Sequence, residues 1–164
     1  ANSSVELYIH DTGQDGPSPG PVPTRRGLRL DVPNDPNVYY PRLRWLPDGS
    51  ALAFFRLNRH QNELELLRAD AATGQLRSLL KETSQAWVDV EAEYPIFLPG
   101  GKQMIWRSDR DGFDHAYLYN TEGTLVRQLT KGPWDVTDIY GLDPKGQVLY
   151  YQSAEVSPTE RHLY

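Results

Sequence analysis

The 164-residue chain contains no cysteine, which excludes disulfides and thiolate metal sites. No apolar run approaches the roughly 18 residues of a membrane-spanning helix, so no such span is expected. The start shows no charged-then-apolar leader, and no intact signal peptide is expected there. Basic residues are the scarcer charge: 17 Lys and Arg against 22 Asp and Glu leave a net charge of −5. That balance argues against a basic phosphate-binding surface, and hence against a nucleic-acid partner. No Gly-x-Ser-x-Gly stretch occurs, so the strained turn that exposes a hydrolase serine is missing. No residue here reads as catalytic.

What is present is punctuation and rings. Thirteen Gly and thirteen Pro break the chain as often as many short strands require. Tyr and Trp dominate the aromatics and suit pleated, half-buried surfaces. Three stretches share one plan. The first runs Arg42-Leu43-Arg44-Trp45-Leu46-Pro47-Asp48-Gly49, then Ala51 to Leu57, Glu63 to Ala69 and Leu76 to Lys81. The second runs Ile96-Phe97-Leu98-Pro99-Gly100-Gly101, then Gln103 to Ser108, His115 to Asn120 and Leu125 to Thr130. The third runs Tyr140-Gly141-Leu142-Asp143-Pro144-Lys145-Gly146, then Val148 to Ser153 and Arg161 to Tyr164.

In each unit a Pro-containing turn ends in Gly, because Pro presets φ and Gly accepts φ > 0. The turn glycines Gly49, Gly101 and Gly146 lie 52 and 45 residues apart. Four strands recurring at that interval define a propeller blade. The expected fold is all-β: a partial β-propeller of two complete four-stranded antiparallel blades, 39–82 and 94–131, flanked by partial blades 1–34 and 136–164. Two blades cannot close a ring, so the chain reads as a fragment. Its open strand edges invite self-association, with Val148-Leu149-Tyr150-Tyr151 the stickiest stretch.

Few residues suggest chemistry. His10, His115 and His162 fall at matching places on third strands, which marks a repeated structural position. Residues Asp109-Arg110-Asp111-Gly112-Phe113-Asp114 space carboxylates like the start of a calcium loop. The distal ligands are missing, so a tight loop with Gly112 at φ > 0 is expected and no metal or cofactor. Glu91 and Glu93 would share a face on a strand but read as a solvated loop between blades. Trp45, Trp87, Trp106 and Trp134 could form a sugar-stacking platform; packing between blades is the better expectation.

Several strings resemble the propeller of dipeptidyl peptidase IV-type enzymes. They are Arg44-Trp45-Leu46-Pro47-Asp48-Gly49, Arg56-Leu57-Asn58-Arg59-His60-Gln61-Asn62 and Ala86-Trp87-Val88. Ser108 to His115, Leu129 to Val136 and Ser157-Pro158-Thr159-Glu160-Arg161-His162-Leu163-Tyr164 complete the set. The resemblance implies a larger parent, an eight-bladed propeller preceding an α/β-hydrolase domain with a Ser-Asp-His triad. It implies release of N-terminal dipeptides with penultimate Pro or Ala, with the propeller gating and lining the substrate cavity. Peptides and the C-terminal hydrolase domain would be the partners. Asp89, Val90 and Glu91 correspond to a substrate-lining loop in some relatives. The family's ammonium-binding Glu pair would precede this segment. The missing cysteines separate the chain from secreted vertebrate members and imply a bacterial source; the family resemblance, rather than the cysteine count, implies a periplasmic or cell-envelope location. The alternative reading is a stand-alone propeller that docks a protein partner.

Overall fold

Three turns of one geometry set the frame of the fold. Gly49, Gly101 and Gly146 have φ of 70°, 66° and 69°. Their N–H groups donate to the carbonyls of Leu46, Leu98 and Asp143 at 2.9, 3.0 and 2.8 Å. The same three residues donate in turn to Ala51, Gln103 and Val148 across each hairpin. A Cβ at such φ would crowd its own backbone, so glycine recurs there. This is a computed structural model that describes residues 5–10, 27–90 and 95–164. The sequon at Asn2, the stretch from Gly13 to Pro23, Glu91 and Glu93 lie outside them.

Fourteen strands form, and no helix appears among the described residues. Strands β1 (Tyr8–Ile9) and β2 (Leu28–Arg29) make a two-stranded sheet. The next sheet holds β3 (Val38–Tyr39), β4 (Arg44–Trp45), β5 (Ala51–Asn58), β6 (Glu63–Asp70) and β7 (Leu76–Thr83). A four-stranded sheet follows: β8 (Ile96–Phe97), β9 (Gln103–Ser108), β10 (His115–Asn120) and β11 (Leu125–Gln128). Last come β12 (Val136–Leu142), β13 (Leu149–Ser153) and β14 (His162–Leu163). All pairings are antiparallel between chain neighbours, with β3 and β4 both on β5. This is a partial propeller.

Strands β3 and β4 are two halves of one first strand. Tyr39 pairs with Leu57 and Arg44 with Ala53, and between them the register slips by one residue. Arg42 sits in the slip at φ 60°. One extra residue in an edge strand is a β-bulge, which bends the strand and re-aims its side chains.

Three apolar layers separate the sheets. Strand β5 serves two of them, because successive side chains point to opposite faces. Ala51, Ala53, Phe55 and Leu57 join Met104, Trp106, Tyr117 and Tyr119 of the following sheet. Leu52 and Phe54 join Leu30 and Val32, with Leu7 and Ile9 packed alongside. A strand covered on both sides reads as an unbroken apolar run. The third layer sets Ile105, Ala116 and Leu118 against Val136 and Ile139.

Polar contacts reinforce the seam between the middle two sheets. Trp106 Nε1–H donates to Glu82 Oε1 at 2.9 Å. Arg110 pairs with that same carboxylate, donates to Tyr119 Oη at 2.6 Å, and lies 4.5 Å over the Tyr117 ring. Residues 109–114 therefore form a loop built around Arg110, closed by Gly112 N–H to the Asp109 carbonyl at 2.8 Å. Gly112 has φ 99°, as expected for a tight loop.

His115 and His162 match in register: they pair with Ser108 and Ser153, the last residues of β9 and β13. His115 is buried, 3.0 Å from Thr130 Oγ1 and from the Gly132 carbonyl, with Trp134 edge-on. Two tryptophan expectations need correction. Trp106 is buried and Trp134 stacks on Tyr151. Trp45 and Trp87 remain 51% and 67% exposed. Trp45 lies on an edge strand, outside the three apolar layers, and Trp87 on the loop after β7. Strand β13 lies inside the last sheet. It pairs with β12 on one side and, over its C-terminal half, with β14 on the other.

Candidate functional site

The loop between the two middle sheets is held in place by an asparagine. Asn58 Oδ1 accepts from the N–H groups of Asn62 and Glu63 at 3.0 and 3.1 Å, and its amide donates to Asn62 Oδ1 at 2.7 Å. These bonds satisfy the backbone of the β5–β6 turn, where side-chain amides compete well with backbone partners. Gln61 is thereby fixed at φ 57°. Its carbonyl accepts from Val88 N–H at 2.7 Å, and the Asn62 carbonyl accepts from Ser84 N–H at 3.0 Å. The string Leu57-Asn58-Arg59-His60-Gln61-Asn62 is thus a device for anchoring residues 84–88.

Beyond that anchor, Val88 and Val90 pack on the apolar layer beneath while Asp89 is exposed. Trp87, Val88 and Asp89 stand between two cavities. The first, of about 500 Å³, is lined by Tyr39, Pro41, Arg42, Leu57, Gln61 and residues 87–90. The second, of about 360 Å³, lies over the seam and is edged by Glu82, Asp89, Asp109, Asp114 and Asp135. Its acidity is partly neutralised. Arg107 pairs with Asp114 and donates to the Val136 carbonyl at 2.9 Å, and Asp135 accepts from Asp114 N–H at 2.8 Å.

The structure brings Asp89 and Val90 to one loop facing the first cavity; Glu91 lies outside the described residues. Sequence reasoning missed Tyr39, Arg42, Gln61 and Trp87 as neighbours of that loop. The left-handed residues at 42 and 61 carry no glycine to advertise them. No serine, histidine and carboxylate converge here, and no acid–base pair is positioned for catalysis among the described residues.

Fold and site together define a segment of a β-propeller whose inter-blade loop opens onto cavities. A family model described as the dipeptidyl peptidase IV N-terminal region matches residues 1–164, and the chain belongs to that family. It is 34% identical to the dipeptidyl peptidase 4 crystal structure from Porphyromonas gingivalis, with a TM-score of 0.76 over 85% of this chain and 20% of that one. A probable dipeptidyl peptidase 4 of Emericella nidulans is 30% identical over 84% of this chain and 19% of its own length. The inactive dipeptidyl peptidase 10 of Rattus norvegicus is 28% identical over the whole chain and 21% of its own length. The chain therefore spans about one fifth of these relatives.

Proposed function

We propose that this chain is the propeller segment of a serine exopeptidase that removes N-terminal dipeptides with penultimate Pro or Ala. The nucleophile, base and oxyanion donors belong to a separate α/β-hydrolase domain of the parent. The propeller gates and lines the substrate cavity, and residues 89–91 influence selectivity at the substrate's N-terminal residue. The observation that carries this reading is the exposed Asp89, held beside a cavity by the Val88–Gln61 hydrogen bond. Relatives named dipeptidyl peptidase 4 supply the substrate class. Triad chemistry needs its groups within about 3 Å of one reacting carbon, so the 164-residue chain alone is expected to be inactive.

The full-length parent tests the reading. It should release a chromophore from Gly-Pro amides and lose that activity to a serine-directed inhibitor. Asp89→Lys and Glu91→Ala should alter selectivity at the substrate's N-terminal residue while the melting temperature holds. Unchanged selectivity with a sharply lowered Tm would make the loop structural.

A second reading, a non-catalytic propeller that binds a protein partner, is favoured by the match of the whole chain to about one fifth of a relative named as inactive. A parent that folds yet cleaves no X-Pro amide would support it. The isolated chain is also proposed to self-associate through exposed apolar side chains at its last sheet, including Tyr140, Tyr150, Val156 and Leu163. Light scattering across a concentration series should show mass rising with concentration; a constant monomer mass would overturn this.

A further inference from the structure

The first cavity has features that the lining role of Asp89 does not require. Arg42 and Gln61 are the two non-glycine residues at positive φ among the described residues, and both line it. Left-handed backbone costs an ordinary residue about 1–2 kcal/mol, and such outliers concentrate where a structure binds or acts. Two rings stand open at the same place, Trp87 at 67% and Tyr39 at 43% exposure. Among the described residues, the exposed Arg42 guanidinium and Asp89 carboxylate form no ion pair or side-chain hydrogen bond, with each other or with a neighbour. The volume, about 500 Å³, falls in the range of ligand pockets, about 300–1,000 Å³.

Opposite unpaired charges around aromatic walls select a particular ligand chemistry. Asp89 disfavours a polyanion and Arg42 a polycation, whereas a ligand carrying both charges satisfies each. Tyr and Trp offer large, rigid contact faces to a flat or ring-bearing body between those charges. Arg presents planar paired donors to a carboxylate.

We propose that this pocket binds short zwitterionic peptides, with a carboxylate on Arg42, a proline or aromatic ring against Trp87 and Tyr39, and a cationic group toward Asp89. The proposal rests on the reading that the parent handles peptides, and it names the peptide chemistry selected here. The bulge at residues 41–42 and the left-handed Gln61 turn are then what open the pocket.

The test is direct binding, so that it does not depend on turnover. The full-length parent is treated with a serine-directed fluorophosphonate and titrated with the tripeptide Lys-Pro-Glu, following tryptophan fluorescence. A saturable change should appear and should vanish in Trp87→Phe. Arg42→Asn keeps a residue tolerant of positive φ and should weaken Lys-Pro-Glu roughly tenfold, about the 1.4 kcal/mol of one charge-assisted contact. Asp89→Asn, at an exposed site, should weaken Lys-Pro-Glu while leaving Ac-Pro-Glu unaffected. No saturable change, or equal affinity in all three variants, overturns the proposal. So does a Trp87 already shielded from acrylamide in the peptide-free parent, because another part of the parent then fills the pocket. Failure of the fluorophosphonate to label the protein would instead count against the peptidase reading and leave the binding result standing.

Discussion

Gly123 rests directly on the backbone of Leu79. A Cβ on this glycine would fall 2.9 Å from the Leu79 Cα and carbonyl carbon, and closer still to the oxygen. The β10–β11 hairpin can therefore reach β7 only where a side chain is absent. Gly123 also has φ 89°, which an L-residue resists.

Substituting Gly123 should open the seam between the two middle sheets. Gly123→Ala combines left-handed strain with a clash against backbone that cannot rotate away, and a loss of about 2–4 kcal/mol is expected. Chemical denaturation should show the midpoint falling with little change in slope. Gly49→Ala is the control, since no atom lies within 4 Å of its Cβ position. It should lose only about 1–2 kcal/mol, the cost of the backbone conformation alone.

His115 should matter through packing and hydrogen bonds, with His162 as its internal comparison. His115→Ala leaves Thr130 Oγ1 and the Gly132 carbonyl without their ring partner and removes the edge contact to Trp134. A loss of about 2–4 kcal/mol follows from an emptied buried site with unsatisfied polar groups. Near-ultraviolet circular dichroism should weaken as Trp134 loses its fixed surroundings. His162→Ala, at an exposed ring that meets Glu160, should change stability by less than about 0.5 kcal/mol.

The Glu82 carboxylate joins both sheets, because Trp106 and Arg110 share its oxygen. Glu82→Ala leaves a half-buried guanidinium without its anion and should cost about 1–3 kcal/mol. Glu82→Gln keeps one acceptor and should cost less. The loss from wild type to Glu82→Gln should shrink in 1 M salt, where screening acts on the charge, whereas the difference between the two neutral variants, a hydrogen bond, should persist.

Alkaline stability should depend on Tyr117. Burial, then the nearby Asp111 carboxylate, pushes its phenol from an ordinary 10.0 up to about 12. The folded chain thus holds a proton that the unfolded chain releases. Stability from this group is complete below about pH 10 and is lost as pH rises toward 12. Tyr117→Phe should flatten that decline, and its absorbance titration near 295 nm should lack the latest step.

Much of this architecture was legible because its cause is local. The expected strands 103–108 and 115–120 coincide with β9 and β10, since short runs of consecutive apolar residues sit between turn signals. Strand β3 was missed because its continuity with β4 is broken by a bulge that no proline–glycine pair announces. Strand β12 starts before Tyr140, where the third unit was expected to open, because two register shifts take up Thr137 and Tyr140 as extra residues and let the pairing run on from Val136. The loop at Asp89 was reached through family resemblance. Its cavity was not, because Tyr39, Arg42 and Trp87 lie up to 48 residues apart and meet only through the bulge and the Asn58-capped turn.

Phe54 and Phe55 adjoin in the chain yet belong to different apolar layers. Strand β5 thus behaves as a stiff crossbar between two seams. Close-packed interiors compress little and hand displacement on, so a push on Phe54 from the side of Leu30 is delivered to Phe55 and onward to Trp106. Leu57, on that same crossbar, forms a wall of the first cavity. The pocket is therefore mechanically in series with the sheet before it, and a change at the Leu30 seam can widen or narrow its mouth without touching a residue that lines it.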